Sequence, residues 1–258
     1  MFIDLNCDMG EGFGPYRLGD DQAMLASVTS ANLACGFHAG DPLVMDQTIA
    51  LCAAAGVAVG AHPGYADRRG FGRRPVSAPP AEVRADLIYQ IGALAALAKA
   101  RGLGLTHVKP HGALYNRAAV DEALAGALIE AVAACGPGLV LVCLAGPAGQ
   151  MIRRLARQAG LKVAAEFFAD RGYLSDGRLA PRDAPGALVD RPELAEERCL
   201  ELLTNGRVRC LDGAWLALEA QTICLHGDGP AALATAKLLG PALRQAGVAL
   251  RPLAELAR

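Results

Sequence analysis

Histidines and carboxylates stand directly after short apolar runs at six places in this chain of 258 residues. The six polar clusters occupy residues 6–11, 36–41, 62–65, 109–112, 166–171 and 226–228. Their side chains are of the types that serve enzymes as general acids, general bases and metal ligands. Buried parallel strands are continuous apolar runs, and α/β folds place their active sites at the carboxyl ends of such strands. Six such strand ends in one chain indicate an enzyme.

The first cluster carries two carboxylates, Asp8 and Glu11, which are separated by Met9 and Gly10. Gly10 lets the backbone turn sharply, so both carboxylates can enter one pocket. Two ionised carboxylates repel each other, which raises the pKa of one and yields a candidate acid and base. The same pair could bind a metal ion, and the plainer alternative is a loop whose acidic residues cap the next helix.

Two further histidines follow the next two apolar runs. His38 lies between small residues that permit close approach of a ligand, and His62 precedes a proline and a glycine. Asp41 followed by Pro42 is typical of a helix N-cap and its first residue, so we expect a mainly structural role for Asp41.

The segment 106–115 has the highest density of such residues. His107, Lys109 and His111 would share one face of a continued strand, and in a barrel that face is the interior. A buried lysine is rare without a partner, so Lys109 should meet a carboxylate of the protein or of the substrate. We expect site roles for Lys109 and His111, with a structural ion pair as the alternative for Lys109, whereas His107 is more typical of a hydrogen-bonded core histidine.

Arginines are concentrated in the segment 67–74, where four of them are spaced by glycines. Such a segment could bind a carboxylate or phosphate through bidentate contacts, and Arg73 is our candidate for that role. The alternative is a solvated charged face.

The last two clusters add an acid at a strand end and a histidine near the end of the chain. Glu166 precedes a turn that contains Asp170 and Arg171, and His226 is followed by Gly227 and Asp228. Asp228 could cap the next helix, whereas no structural role is evident for His226.

Composition and missing motifs exclude several classes of protein. Net charge is −1, from 25 basic and 26 acidic residues, so the chain lacks the basic surface of nucleic-acid and membrane binders. The sequence has no Walker loop, no serine-nucleophile elbow and no H-E-x-x-H zinc motif.

A metal site could still form from separate strands, and its candidate ligands are Asp8, His38, His62, His111 and His226. Eight cysteines without a C-x-x-C pair, and an amino terminus without signal-peptide features, predict a reduced cytoplasmic protein.

Apolar runs that alternate with helical patterns predict repeated βαβ units and a parallel sheet. Strands are expected near 2–7, 30–35, 57–61, 105–109, 139–144, 163–168 and 222–225. Helices are expected near 20–28, 42–55, 80–101, 121–134, 148–159, 192–204 and 230–246. An open sheet binds ligands at one switch point, whereas here nearly every strand ends in a polar cluster. We therefore predict an α/β fold with a single (β/α) barrel domain over 1–258, of seven strands, in which 170–215 is a longer excursion that could act as a lid or a docking surface.

The same clusters resemble the LamB/YcsF family over essentially the whole chain. The motifs that carry the resemblance are DLNCDMGE at 4–11, ANLACGFHAGD at 31–41, GAHPGY at 60–65, GFGR at 70–73, VKPHGALY at 108–115, EFFADRGY at 166–173 and LHGD at 225–228. The resemblance implies a barrel similar to those of glycoside hydrolases and polysaccharide deacetylases. It also implies opening of the lactam 5-oxo-L-proline to L-glutamate, driven by ATP with Mg²⁺, in a complex with two other subunits, B and C.

This implied activity suggests roles for the clusters. One of the catalytic candidates would activate water or move the lactam proton, and Lys109 with Arg171 or Arg73 would hold the substrate carboxylate or the phosphoryl charge. The catalytic candidates are Asp8, Glu11, His38, His62, Lys109 and His111. The substrate-binding candidates are Asn6, Arg73, Tyr115, Glu166, Asp170, Arg171, His226 and Asp228. The missing Walker loop leaves the ATP site either noncanonical in this chain or in a partner subunit.

Two other functions remain open at this point. A metal-dependent amidohydrolase or carbohydrate deacetylase acting alone would bind a metal ion tightly and need no ATP. A noncatalytic subunit that delivers the lactam to its partners would bind 5-oxo-L-proline without turning it over.

Overall fold

Seven parallel strands close into a ring in the computed structural model of the chain, which describes residues 1–227, 229 and 231–257. The strands of the described residues are β1 (Phe2–Met9), β2 (Ser30–Ala34), β3 (Ala58–His62), β4 (His107–Val108), β5 (Val140–Leu144), β6 (Lys162–Phe168), β7 (Arg207–Arg209), β8 (Trp215–Ala217), β9 (Thr222–Leu225) and β10 (Ala249–Leu250). The ring runs β1-β2-β3-β4-β5-β6-β9, and β9 pairs with β1 to close it. The predicted seven-stranded barrel is confirmed.

Helices connect the ring strands. Those of the described residues are α1 (Asp21–Leu25), α2 (Pro42–Ala55), α3 (Pro80–Ala100), α4 (Gly112–Ala118), α5 (Glu122–Cys135), α6 (Gln150–Gln158), α7 (Pro192–Asn205), α8 (Ala232–Gln245) and α9 (Leu253–Leu256). Asp41 caps α2 as predicted, because its carboxylate accepts the N–H groups of Leu43 and Val44. Within the described ranges, no helix is both long and apolar enough to cross a membrane.

All seven predicted strands and all seven predicted helices are present, with shifted ends. Strand β4 is shorter than expected, although Lys109 and His111 still donate backbone hydrogen bonds to the carbonyls of Ala61 and Pro63. The sequence pattern did not predict α4, α9, the antiparallel β7–β8 hairpin, or β10, which pairs with the start of β1. These elements are short, so they carry little periodicity.

Strand β1 shows how the barrel separates its two surfaces. Ile3, Leu5, Cys7 and Met9 belong to the apolar core, and the alternate residues are the buried polar side chains Asp4, Asn6 and Asp8. These polar side chains bond to groups from other strands of the ring, so they lie in the barrel interior. The interior is thus polar, and every polar group in it needs a partner.

Asp4 lies at the amino-terminal end of this interior and is fully buried. Its carboxylate accepts hydrogen bonds from the hydroxyls of Thr29 (2.7 Å), Ser30 (2.6 Å) and Thr222. Burial outweighs these hydrogen bonds and raises the pKa of Asp4 to about 6. The folded state therefore holds a proton on Asp4 over a pH range in which the unfolded chain has released it.

We predict that Asp4→Asn makes stability less sensitive to pH. A raised pKa in the folded state stabilises the protein below the unfolded pKa, and that stabilisation is lost as pH rises through about 6. Between roughly pH 4 and 7, the wild type should lose about 2 kcal/mol of unfolding free energy relative to the variant, as measured by urea denaturation.

The matched control is Asp190→Asn, which makes the same change at an exposed position. Its stability should follow the wild type at every pH. A constant difference between wild type and Asp4→Asn across this range would contradict the prediction.

Candidate functional site

Lys109 lies at the centre of the polar interior, with only 2 % of its surface exposed. Its ammonium is 2.8 Å from Asp8 Oδ1 and 3.0 Å from Glu166 Oε1, and further contacts reach Cys224 Sγ and Asn6 Oδ1. Burial alone would lower the pKa of Lys109, but the nearby anionic groups outweigh it and raise the pKa well above its usual value. Lys109 is therefore a buried cation held between two buried carboxylates.

Neutral groups also donate hydrogen bonds to these two carboxylates. Tyr115 donates its hydroxyl to Glu166 Oε2 at 2.8 Å, and Asn6 donates to Glu166 Oε1 at 3.1 Å. Asn32 donates to Asp8 Oδ1 at 2.8 Å and to Asn6 Oδ1 at 2.7 Å. The result is one connected network that crosses the barrel.

Asp8 is the carboxylate of the predicted pair that stays ionised. Burial would raise the pKa of Asp8, but the charges of His62 and Lys109 outweigh it and hold the pKa well below the usual value. Of the predicted acid and base pair, Asp8 is not the carboxylate whose pKa is raised, because His62 and Lys109 lie close to it. Asp8 is therefore an ionised acceptor, not a proton donor.

Glu11, His38, His62 and His111 form a second group, which we call the histidine cluster. One potential ligand atom from each residue lies within 4.8 Å of those of the other three. His111 Nδ1 is 2.9 Å from His62 Nε2, and the rings of His38 and His111 stack with centroids 3.8 Å apart. His62 Nε2 is also 3.3 Å from Asp8 Oδ2, so the cluster adjoins the lysine network.

Burial is the main reason that two histidines of this cluster, His38 and His111, resist protonation. It lowers the pKa of His38 and of His111 well below the usual value, and the charge on neighbouring histidines lowers both further. Neutral imidazole is the form that binds metal ions.

Arginine side chains fix the loops that carry this cluster. Arg68 donates to the carbonyls of Gly36 and Gly40, and its guanidinium lies 3.6 Å from the centroid of the Phe13 ring. It thereby ties the loop with Glu11 to the loop with His38. Arg74 pairs with Asp67 on the same segment.

A cavity of about 630 Å³ opens at the carboxyl ends of the strands. Asp8, His62, Lys109 and His111 are among its lining residues. Five arginines of the described residues also line it: Arg73, Arg117, Arg171, Arg178 and Arg182. Residues 178–183 of the predicted excursion form part of its wall. So many cationic side chains around one cavity suit an anionic ligand.

Arg171 is hydrogen-bonded to the loop that forms this part of the cavity wall. It donates to the carbonyls of Ala180 at 2.6 Å and Ala187 at 3.2 Å, which ties together the loop that carries the excursion. Burial lowers the pKa of Arg171 to about 10, so the side chain stays charged at neutral pH.

His226 and Asp170 form an oriented pair at the edge of this cavity. His226 Nδ1 is 2.9 Å from both carboxylate oxygens of Asp170, and Asp170 Oδ2 also accepts the backbone N–H of His226. Burial would raise the pKa of Asp170, but His226 outweighs it and lowers the pKa. A carboxylate that holds Nδ1–H leaves Nε2 as the basic nitrogen, which is the arrangement of a general base.

The structure brings nearly all sequence-predicted site residues together. Asn6, Asp8, Lys109, Tyr115 and Glu166 share the lysine network, and the histidine cluster, Arg73, Arg171, Asp170 and His226 lie in or beside the cavity. Asp228 lies outside the described residues.

His107 has the structural role that the sequence favoured. It is fully buried, its Nε2 is 2.8 Å from Asn32 Oδ1, and it does not line the cavity. Burial lowers the pKa of His107 to about 3.

Sequence reasoning missed Asn32, Cys224, Arg178 and Arg182. Asn32 did carry a signal, since it is an amide in the middle of a buried strand and is in register with Asp8 on β1. The two arginines lie in an irregular loop, where no periodicity indicates which way a side chain points.

Comparison with known proteins places this chain among close relatives. The model of the LamB/YcsF family matches residues 3–258. The chain is 54% identical over 248 residues to the A subunit of 5-oxoprolinase from Syntrophobacter fumaroxidans, and the match covers 96% of this chain and 97% of the relative. It is 47% identical over 258 residues to the protein of the same name from Pyrococcus horikoshii, with both chains covered completely. A crystal structure of a lactam utilization protein from Thermus thermophilus matches with a TM-score of 0.90 and 49% identity, covering 97% of this chain and 99% of that one.

Replacing the buried lysine tests the importance of the network. In Lys109→Met, Asp8 and Glu166 would remain buried without their cation, so we expect a loss of about 3–5 kcal/mol in unfolding free energy at neutral pH. The loss should shrink as pH falls, because carboxylates without a cation take up protons more readily in the folded state.

Lys162→Met is the matched control, because it makes the same change at an exposed strand residue. Urea denaturation of both variants measures the difference. If the two variants lost similar amounts of stability, Lys109 would not be the charge that holds the barrel interior together.

Proposed function

The chain belongs to the LamB/YcsF family, and from that premise we propose that it is the A component of an ATP-dependent 5-oxoprolinase. It would open the lactam of 5-oxo-L-proline to L-glutamate while ATP is converted to ADP and phosphate, together with partner subunits B and C. The observation that carries the proposal is the cavity, which combines an oriented histidine–carboxylate pair with a ring of arginines in a chain whose full-length relatives are named for this substrate.

The chemistry of the substrate explains why such a cavity is needed. A five-membered lactam is a poor electrophile, and phosphorylation of its carbonyl oxygen by ATP with Mg²⁺ turns that oxygen into part of a good leaving group. Water then attacks the ring carbon while a base takes its proton, and the C–N bond breaks as the ring nitrogen takes up a proton and leaves as the amine. A second water then hydrolyses the resulting acyl phosphate to the glutamate carboxylate and phosphate. The site must therefore hold anions and place a base next to water.

His226 is the base in this proposal, and Asp170 is the residue that positions it. Asp170 fixes the ring through Nδ1 and stabilises the imidazolium that forms when Nε2 takes the proton. Sequence reasoning had assigned His226 to substrate binding, because the contact between residues 56 positions apart is not evident from a single sequence.

Arginines at the rim hold the substrate carboxylate and the phosphoryl charge. Arg73 and Arg178 line the cavity and have the planar donor geometry that suits these anions. Lys109 has a different role, since its ammonium already contacts Asp8, Glu166 and Cys224 inside the protein. It keeps Asp8 ionised and in place beside the cavity.

Two alternatives make different predictions. A lone metal-dependent amidohydrolase would release product without ATP, and a noncatalytic lactam-binding subunit would show parallel changes in affinity and turnover when Asp8 or His111 is replaced by Ala. Neither accounts for the number of arginines around the cavity as directly as phosphoryl chemistry does.

Reconstitution tests the proposal directly. Glutamate and phosphate release from 5-oxo-L-proline and ATP would be measured with this chain alone and with candidate B and C subunits, each with and without a chelator. We expect stoichiometric release of both products only in the complete mixture. Metal-dependent, ATP-independent amidase activity of the lone chain would support the deacetylase-like alternative instead.

Variants of the histidine–carboxylate pair test its role in the reconstituted complex. His226→Asn should lower kcat by about 10²–10⁴-fold with little change in KM, and Asp170→Asn should also lower kcat because the ring loses its orientation. Asp190→Asn, at an exposed position away from the cavity, is the control for Asp170→Asn. An effect of His226→Asn on KM alone would assign His226 to substrate binding, as the sequence had suggested.

A further inference from the structure

The histidine cluster is not used in the mechanism above, yet it is the densest group of potential metal ligands among the described residues. Its members come from four consecutive strand ends, and their side chains are almost completely buried: 7% of the Glu11 side chain is exposed, and at most 6% of any of the three histidines. Such a group needs an explanation, because buried polar side chains are stable only when their hydrogen-bonding groups are satisfied.

Backbone carbonyls determine which nitrogens of two rings carry hydrogen. The carbonyl of Lys109 lies 2.7 Å from His62 Nδ1, and the carbonyl of Phe71 lies 2.8 Å from His111 Nε2. A carbonyl oxygen only accepts, so both of these nitrogens are N–H donors. In the neutral rings, the lone pairs of His62 Nε2 and His111 Nδ1 therefore face each other across 2.9 Å.

Two facing lone pairs repel unless a cation lies between or beside them. Asp8 adds a third acceptor, since its Oδ2 is 3.3 Å from His62 Nε2. Either an additional proton or a metal ion would relieve this repulsion. These carbonyl contacts are also typical of metal-binding histidines, whose second nitrogen usually donates to a carbonyl or carboxylate.

His38 distinguishes between the proton and the metal ion. It is 1% exposed, and neither of its ring nitrogens has a hydrogen-bond partner within the described part of the chain. Its Nε2 is 3.6 Å from Glu11 Oε1, which in turn is 3.6 Å from His111 Nδ1. A proton between His62 and His111 would leave His38 unsatisfied. One ion could satisfy all three rings if the His38 ring turns out of its parallel stack on His111.

Two glycines make room for the cluster. A Cβ on Gly64 would come within 2.7 Å of His38 Nδ1, which places that nitrogen against the backbone and leaves Nε2 toward Glu11. A Cβ on Gly72 would lie 2.7 Å from His38 Cβ and 2.9 Å from His111 Cδ2, and the φ of Gly72 is +62°. The backbone is therefore shaped to bring these rings together.

We propose that Glu11, His38, His62 and His111 bind one divalent transition-metal ion of the zinc class. Ligands at about 2.0–2.2 Å from a tetrahedral ion lie about 3.3–3.6 Å apart. Three pairs of ligand atoms in the cluster are 2.9, 3.6 and 3.6 Å apart, and all four atoms lie within 4.8 Å of one another, so small side-chain movements would complete the site. Three imidazoles and one carboxylate favour such an ion over Mg²⁺ or Ca²⁺, which prefer oxygen ligands.

Four protein ligands make a closed site, which is typical of a structural metal. The ion would join the loops after β1, β2 and β4 to the end of β3, beside the cavity but without a position reserved for substrate. This site does not depend on the proposed 5-oxoprolinase activity.

The test uses the full chain without a histidine tag, stripped of metal by a chelator and then titrated with Zn²⁺ alone. Calorimetry should show one equivalent bound, Co²⁺ should give the strong visible absorption of a tetrahedral site, and Zn²⁺ should raise the Tm. His38→Asn and Glu11→Gln should each weaken Zn²⁺ binding by about 100-fold or more, since even the loss of an outer partner of a metal ligand costs 10–100-fold.

His226→Asn is the matched control, because His226 belongs to a different group of potential ligands, Asp8, Cys224 and His226. It should bind Zn²⁺ as the wild type does. Circular dichroism without metal checks folding, and because the two ligand variants lie on different loops, either one can carry the test alone. Absence of Zn²⁺ binding by the wild type, unchanged binding by a folded ligand variant, or loss of binding in His226→Asn would each overturn the proposal.

Discussion

The arrangement of the barrel interior depends on one buried ionic network, in which the Lys109 ammonium lies between the carboxylates of Asp8 and Glu166. A charge removed from water costs several kcal/mol unless opposite charges and hydrogen bonds replace the lost hydration. This requirement explains why the amides of Asn6 and Asn32 and the hydroxyl of Tyr115 donate hydrogen bonds to the two carboxylates. It also explains why polar side chains alternate with apolar ones along β1. A barrel filled with branched apolar side chains would be simpler to stabilise, so this interior serves to fix charged groups beneath the cavity.

This arrangement separates a fixed interior from a more varied rim. The interior groups come from strands and have nearly all their bonds inside the protein, whereas the rim arginines come from loops such as 178–183. His226 lies between these two regions, since it follows β9 directly and its ring stacks on Phe168 at the end of β6. Because His226 is held by strands, its basic nitrogen would be placed precisely for proton transfer. Because the rim arginines are held by loops, they could adapt to the anion that they bind.

Features that depend on residues close together in the sequence were predictable. Apolar runs gave the seven ring strands, and the polar residues after them gave most of the cavity. Partners far apart in the chain were not predictable: nothing near Asp170 indicates that it bonds to His226, and nothing near Arg68 indicates that it bridges the loops at Gly36 and Gly40. The sequence also did not indicate which of Asp8 and Glu11 would stay ionised, because it does not show how close Lys109 and His62 come to Asp8.

His62 connects the two polar groups of the barrel. Its Nε2 is 3.3 Å from Asp8 in the lysine network and 2.9 Å from His111 in the histidine cluster. Any cation on this nitrogen, whether a proton or a metal ion, therefore also stabilises the ionised form of Asp8 and, through it, the charge of Lys109. Because interactions in a region of low dielectric are strong, the charge at the cluster and the charge at the centre of the barrel must be set together. The close packing of Gly64 and Gly72 against the His38 and His111 rings holds the rest of the cluster together beside His62.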